Sequence, residues 1–211
     1  MEIKYSNYKA NPEIFKEKTL TTLIDKTGDY LINNIYDIKE EPVGSTKIVK
    51  QILNTGILNS NEKLIEELLL ELEIEKEVLN NKLNSLSNSN FLKIMFIKYC
   101  TDKSEIIILD HIDACLTERD FKLLMKACQN KNISKTIIFC PNIIDNAIIY
   151  TKNFVVTENN TIIYKGNDFT KLEVKSEIMN FVDIANKRNA KLKYYKEPSD
   201  LLKAIYRSVK K

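Results

Sequence analysis

The stretch Ile106-Ile107-Ile108-Leu109-Asp110-His111 has the residue types and order to do chemistry. An unbroken apolar run of this kind reads as a strand buried on both faces. The acid that ends it would sit at the carboxyl edge of a sheet, where α/β proteins bind phosphates and a carboxylate can hold magnesium. His111, the sole histidine of the chain, follows directly, and a neutral imidazole there could orient water. A second set, Gly44, Ser45, Thr46 and Lys47, combines a glycine, hydroxyls and a lysine charge, the ingredients of a phosphate loop.

The remaining composition pulls against a working phosphate site. The chain has only four glycines in 211 residues, and glycine is what lets a backbone curl around phosphates without a Cβ in the way. The 32 basic and 29 acidic residues leave a net charge of +3, too small to indicate nucleic acid. Basic residues gather near the C-terminus (Lys187, Arg188, Lys191, Lys193, Lys196, Lys203, Arg207, Lys210, Lys211) and read as a solvated surface. Cys100, Cys115, Cys128 and Cys140 show no CxxC spacing and lie in apolar segments, as expected of reduced thiols rather than a zinc or disulfide framework. No apolar run reaches the roughly 18 residues that span a bilayer, and residues 1–9 lack the apolar centre of a signal peptide.

The elements that would position these residues follow from periodicity. Short strands are expected over Glu2–Tyr5, Thr19–Ile24 and Tyr30–Ile38, with turns at Asn11-Pro12, Lys26-Thr27-Gly28 and Glu41-Pro42. Helical spacing marks Lys47–Leu53, then Asn61–Leu83 with a break near Glu73–Glu75, then Asn90–Cys100. A buried strand (Glu105–Leu109), a helix (Glu118–Gln129) and a second buried strand (Thr136–Cys140) come next. A short helix (Ile143–Thr151), a hairpin (Asn153–Val156 with Thr161–Lys165) and C-terminal helices complete the chain. Apolar strands alternating with helices predict a mostly parallel α/β sheet covered by helices.

These segments, in this order, resemble the nucleotide-binding domain of ABC transporters. The resemblance is strongest from Glu66 to Gly166. Ser85-Leu86-Ser87-Asn88-Ser89-Asn90, preceded by the helix around Glu66–Leu72, is similar to the LSGGQ signature, here LSNSN. Asp110 lies 20 residues beyond Asn90, the family's spacing from signature to Walker B motif. Thr136–Asn142 resembles the switch strand, with Asn142 at the histidine's place. Glu41-Pro42-Val43-Gly44-Ser45-Thr46-Lys47-Ile48-Val49 stands where the family carries GPNGSGKST, and Pro198–Tyr206 is similar to the close of short transporter ATPases.

The resemblance implies a single P-loop NTPase-like domain over 1–211. Its parts are an N-terminal antiparallel β portion with the phosphate loop (1–60), a shortened helical and signature region (61–104), a Walker B core (105–175) and C-terminal helices (176–211). The implied ligand positions are Gly44, Ser45, Thr46 and Lys47 together with Ser87, Asn88 and Ser89, with Asp110 for magnesium. His111 and Asn142 stand at the catalytic glutamate and switch histidine. The departures point one way. Glu41 and Thr46 replace loop glycines, Ile48 and Val49 replace the magnesium hydroxyls, Asn88 and Ser89 replace signature glycines, and Thr117 replaces the D-loop aspartate. Only 39 residues separate Lys47 from Leu86, too few for the family's Q-loop strand; Gln51, within a helix, is no substitute. Phosphoryl transfer rests on positioning and electrostatics, so these losses argue against hydrolysis by this chain alone and leave ATP and magnesium weakly held at most. The expectation is a pseudo-ATPase subunit acting through an ABC permease, an intact ATPase homologue, or a homo- or heterodimer. It would be cytoplasmic and reach the membrane only through that partner, with no nucleic acid bound. A freestanding interaction or regulatory protein and a weakly active ATPase remain open alternatives.

Overall fold

The computed structural model describes residues 2–40, 45–53 and 61–209. Six strands form one sheet: β1 (Glu2–Ser6), β2 (Leu20–Asp25), β3 (Ile106–Asp110), β4 (Thr136–Cys140), β5 (Phe154–Glu158) and β6 (Thr161–Gly166). Their order across the sheet is β1-β3-β4-β2-β5-β6. The inner four run parallel, while β1 and β6 pair antiparallel at the two edges.

The alternation of side chains sorts each inner strand onto two cores. Ile107, Leu109, Ile137, Phe139, Phe154 and Val156 enter the larger core, shared with Leu92, Phe96, Phe121 and Leu124. Ile106, Ile108, Ile138, Cys140, Val155 and Leu23 face the other way onto Phe15, Tyr30 and Ile35. Burial on both faces is why β3 and β4 carry almost nothing polar before their last residues.

The larger core is roofed by α4 (Asn88–Thr101) and α5 (Glu118–Ala127). Short α1 (Tyr30–Asn34) covers the smaller core, contributing buried Tyr30. Between them lie α2 (Val49–Leu53), α3 (Glu62–Glu71) and two tight helical turns, Lys76–Asn80 and Leu83–Ser85. Glu73, with φ of 52°, ends the long leucine-rich stretch where a break is expected. The chain closes with α6 (Ile144–Tyr150), the β5–β6 hairpin, α7 (Glu177–Lys187) and α8 (Pro198–Val209).

Two elements differ from expectation. The helix expected over Asn61–Leu83 stops at Glu71 and gives way to the tight turns Lys76–Asn80 and Leu83–Ser85. The second is Tyr30–Ile38, which is not a strand: Tyr30–Asn34 is helical and a turn follows. Its Tyr30, Ile32 and Ile35 suggest a β segment by composition, yet Ile32 is 79% exposed while Tyr30 and Ile35 are buried. The deciding interaction is tertiary. The Asp25 carboxylate accepts the Tyr30 backbone N–H at 2.7 Å and holds the first turn of the helix.

Candidate functional site

The parallel strands β2, β3 and β4 end side by side at Asp25, Asp110 and Cys140. A cleft of about 510 Å³ opens over these ends. Its walls include Lys4, Asp25, Gly28, Glu40, Asp110 and His111, with Leu31 and Ile38 among its apolar lining. Ligands of parallel α/β folds bind beyond the carboxyl ends of strands, so this is where the fold would put a ligand.

Asp110 stands at the mouth as expected, but in company the sequence does not advertise. Lys4 Nζ donates to its Oδ2 at 2.8 Å, and His111 Nδ1 lies 2.8 Å from Oδ1. The lysine comes from edge strand β1, whose antiparallel register sets Lys4 beside Ile108. Burial disfavours the charged carboxylate, yet the hydrogen bond and charge of Lys4, reinforced by His111, hold its pKa below the ordinary value. For Lys4, burial works against the ammonium, and the bond to Asp110 outweighs it to raise the pKa. Both oxygens of the carboxylate expected to hold magnesium therefore already have a partner. His111 itself has left-handed backbone (φ 52°), and its N–H donates to the Cys140 carbonyl, tying the ends of β3 and β4 together.

The strand–turn–helix unit that a phosphate loop requires is built from β2 and α1. Only Lys26, Thr27, Gly28 and Asp29 lie between them, less than the G-x-x-x-x-G-K-S/T loop needs. Gly28, at φ of 82°, lets the turn close. Asp25 Oδ2 takes the Tyr30 N–H, and Oδ1 accepts from the Thr157 hydroxyl at 3.0 Å. Thr27 Oγ1 donates to Asp29 Oδ1 at 2.7 Å. A built-in carboxylate thus occupies the helix amide that would face a phosphate. A magnesium–polyphosphate group would have to displace Lys4 and His111 from Asp110 and Asp25 from Tyr30, a donor set that does not suit it.

Ser45, Thr46 and Lys47 lie elsewhere, and Gly44 falls outside the described residues. The Ser45 carbonyl accepts from Asn84 N–H at 3.1 Å and the Lys47 carbonyl from Leu83 N–H at 2.9 Å, so the segment runs along the approach to the signature-like residues. Neither Ser45–Lys47 nor Ser87–Ser89 lines the cleft at Asp110. Ser87 caps α4, accepting the Asn90 N–H, and Ser89 Oγ donates to Asp120 Oδ2 at 2.8 Å. Thr117, at the D-loop position, caps α5 through the Asp120 N–H. Asn142 gives its backbone N–H to Asp113, which also receives Ile143 N–H and the Asn146 amide at the start of α6.

Sequence reasoning missed Lys4, Asp25 and Gly28. A signal for the latter two was present, since Leu23-Ile24-Asp25 followed by Gly28 repeats the pattern of an apolar run ending in an acid, then a turn. No local signal joins Lys4 to a carboxylate 106 residues away.

Comparison with solved structures decides the architecture. The chain superposes on the ADP conformation of MJ1267, an ATP-binding cassette of an ABC transporter, at a TM-score of 0.54, with 13% identity over 89% of this chain and 98% of that one. The fold is that of an ATP-binding cassette. For cbiO1 from Clostridium perfringens, part of the ABC transporter complex cbiONQ, the TM-score is 0.55 with 17% identity over 90% and 95% of the two chains. For MJ0796, a bacterial ABC transporter cassette solved as a dimer, it is 0.53 with 14% identity over 78% and 98%. No sequence-family model and no curated protein matches the chain. In the sheet β4 lies between β3 and β2, so the turn after β2 meets the ends of β3 and β4. Among the described residues no helix is long and apolar enough to cross a membrane.

Proposed function

We propose that the chain is a catalytically silent cassette, a pseudo-ATPase subunit that acts by associating with an intact cassette homologue or a transporter permease. The observation that carries this reading is the internal neutralisation of the strand-end cleft: Lys4 and His111 on Asp110, and the Asp25 carboxylate on the first amide of α1. The solved structures of similar fold support the partner half of the reading, one being part of a transporter complex and another a dimer. In such a pairing Ser87, Asn88 and Ser89 would lie toward the partner's nucleotide, and the partner would supply the chemistry.

The test is hydrolysis by the purified chain with magnesium and ATP. No turnover above background is expected. Robust turnover abolished by Asp110→Asn would sink the proposal and favour an active ATPase. Co-purification from cells, with the captured chains identified, tests the other half; a permease or an intact cassette is expected. A second reading, a freestanding regulatory protein, draws on the abbreviated stretch between α1 and α4, where Ser45–Lys47 bonds directly to Leu83 and Asn84. Capture of an unrelated soluble partner alone would favour it.

A further inference from the structure

The opposite end of the sheet carries a second cavity whose charged lining is all basic. It is about 320 Å³ and lies where β2, β4 and β5 begin, lined in part by Lys18, Lys131, Lys135 and Lys152. No aspartate or glutamate lines it. Among the described residues none of the four lysines forms an ion pair. The Asn130 amide donates to Glu71 Oε1 at 3.1 Å, and Glu71 is not part of the lining.

The lysine at the cavity's half-buried wall is fixed in place. Lys135 Nζ donates to the carbonyls of Asp102 and Ser104 at 2.8 and 2.5 Å. Two neutral acceptors orient the ammonium without cancelling its charge, and an ammonium has a third N–H to offer. Lys18 has left-handed backbone at φ of 55°, with its N–H on the Thr136 hydroxyl. Four like charges around one concavity repel each other, and a multiply charged anion relieves that repulsion. The rest of the lining is mixed, with Leu20, Ile133 and Tyr150 set among hydroxyl and amide side chains.

We infer that this cavity binds a small phosphomonoester, its dianionic phosphate among Lys18, Lys131, Lys135 and Lys152 and a ring-sized apolar portion against Ile133 and Tyr150. Lysine holds phosphate as a point charge, and the volume falls in the range of small-ligand pockets. The site lies at the amino ends of the strands, away from Asp110, and is independent of the role proposed for the other end.

Phenyl phosphate and inorganic phosphate are the probes, titrated calorimetrically into the full chain at low salt. Phenyl phosphate is expected to bind with a submillimolar Kd that weakens with added salt, and at least tenfold more tightly than phosphate. A Lys131→Gln/Lys152→Gln variant, altered only at exposed positions, should keep its thermal midpoint and lose at least tenfold in affinity. Lys4→Met, at the other end, should leave the Kd unchanged. No binding up to about 10 mM, equal affinity for phosphate alone, or an affinity indifferent to the double variant would each overturn the assignment.

Discussion

Replacing Lys4 with methionine isolates what the lysine does for Asp110. The pair is mostly shielded, with side chains 29% and 19% exposed, and loss of one partner leaves a carboxylate short of both charge and hydrogen bond. A cost of about 1–3 kcal/mol is expected near neutral pH, smaller than for a fully buried pair. The sign of its pH dependence follows from the shifts. Asp110 is lowered, so its contribution is fully present above the unfolded carboxyl value of about 3.9 and fades as pH falls through the lower folded value. Lys4 is raised, so its contribution is present below about pH 10.4 and fades as pH rises through the higher folded value. Urea unfolding of both proteins across pH should show the gap open between those limits and closing below about pH 4; a gap that widens in acid would contradict the pairing. Gly28 provides a second residue-scale test. An added Cβ there meets no atom within 4 Å, so Gly28→Ala should cost only the backbone strain of φ 82°, about 1–2 kcal/mol. Gly28→Asn should recover part of it, since asparagine tolerates that region. Asp110 and His111 were legible in the sequence because strand and acid are contiguous. Lys4 was not, because its meaning depends on an antiparallel edge register that local pattern does not encode.

Among the elements, the signature-like helix shows how a surface expected to meet a ligand is tied to its own domain. Asp120 on α5 receives Ser89, Lys93 and Thr117, and Lys93 Nζ lies 2.5 Å from it with a side chain only 5% exposed. Burial opposes the charge on Asp120, and the Lys93, Ser89 and Thr117 bonds outweigh it to lower the pKa. Asp120→Ala would strand the Lys93 ammonium in the α4–α5 interface and should cost about 3 kcal/mol. Lys93→Met should cost less, because methionine fills the space and Asp120, 21% exposed, keeps its Ser89 and Thr117 donors and some access to water. Thermal unfolding of both single variants and the double variant measures the coupling; equal costs that simply add would remove the anchor. The helices α4 and α5 were legible because apolar spacing and caps agree there: Ser87 and Thr117 each cap the helix that follows. Tyr30–Asn34 was illegible for the opposite reason. A five-residue helix has little periodicity to display, and its start is fixed by Asp25 rather than by a local cap.

Across the whole molecule, the two cores share the same strands, so neither face of the sheet can open without exposing the other. Three of the four cysteines report on this arrangement. Cys100 and Cys128 belong to the larger core and Cys140 to the smaller one. Burial pushes each of these thiols well above its ordinary pKa, so the thiolate needed for reaction is scarce until the fold opens. Cys115 is only partly covered. In native conditions one thiol, Cys115, should react readily with a disulfide reagent. The other three should react together, at a rate set by the population of the globally open state and accelerated to the same degree by urea. The comparison is clean because the reporters sit on α4, just after α5, and on β4. If Cys140 were released at lower urea than Cys100 and Cys128, the small core would be a separately opening layer. The strand-end cleft, which rests on Asp25, Asp110 and Cys140, would then be a mobile surface rather than the fixed, internally neutralised one on which the proposed silent role depends.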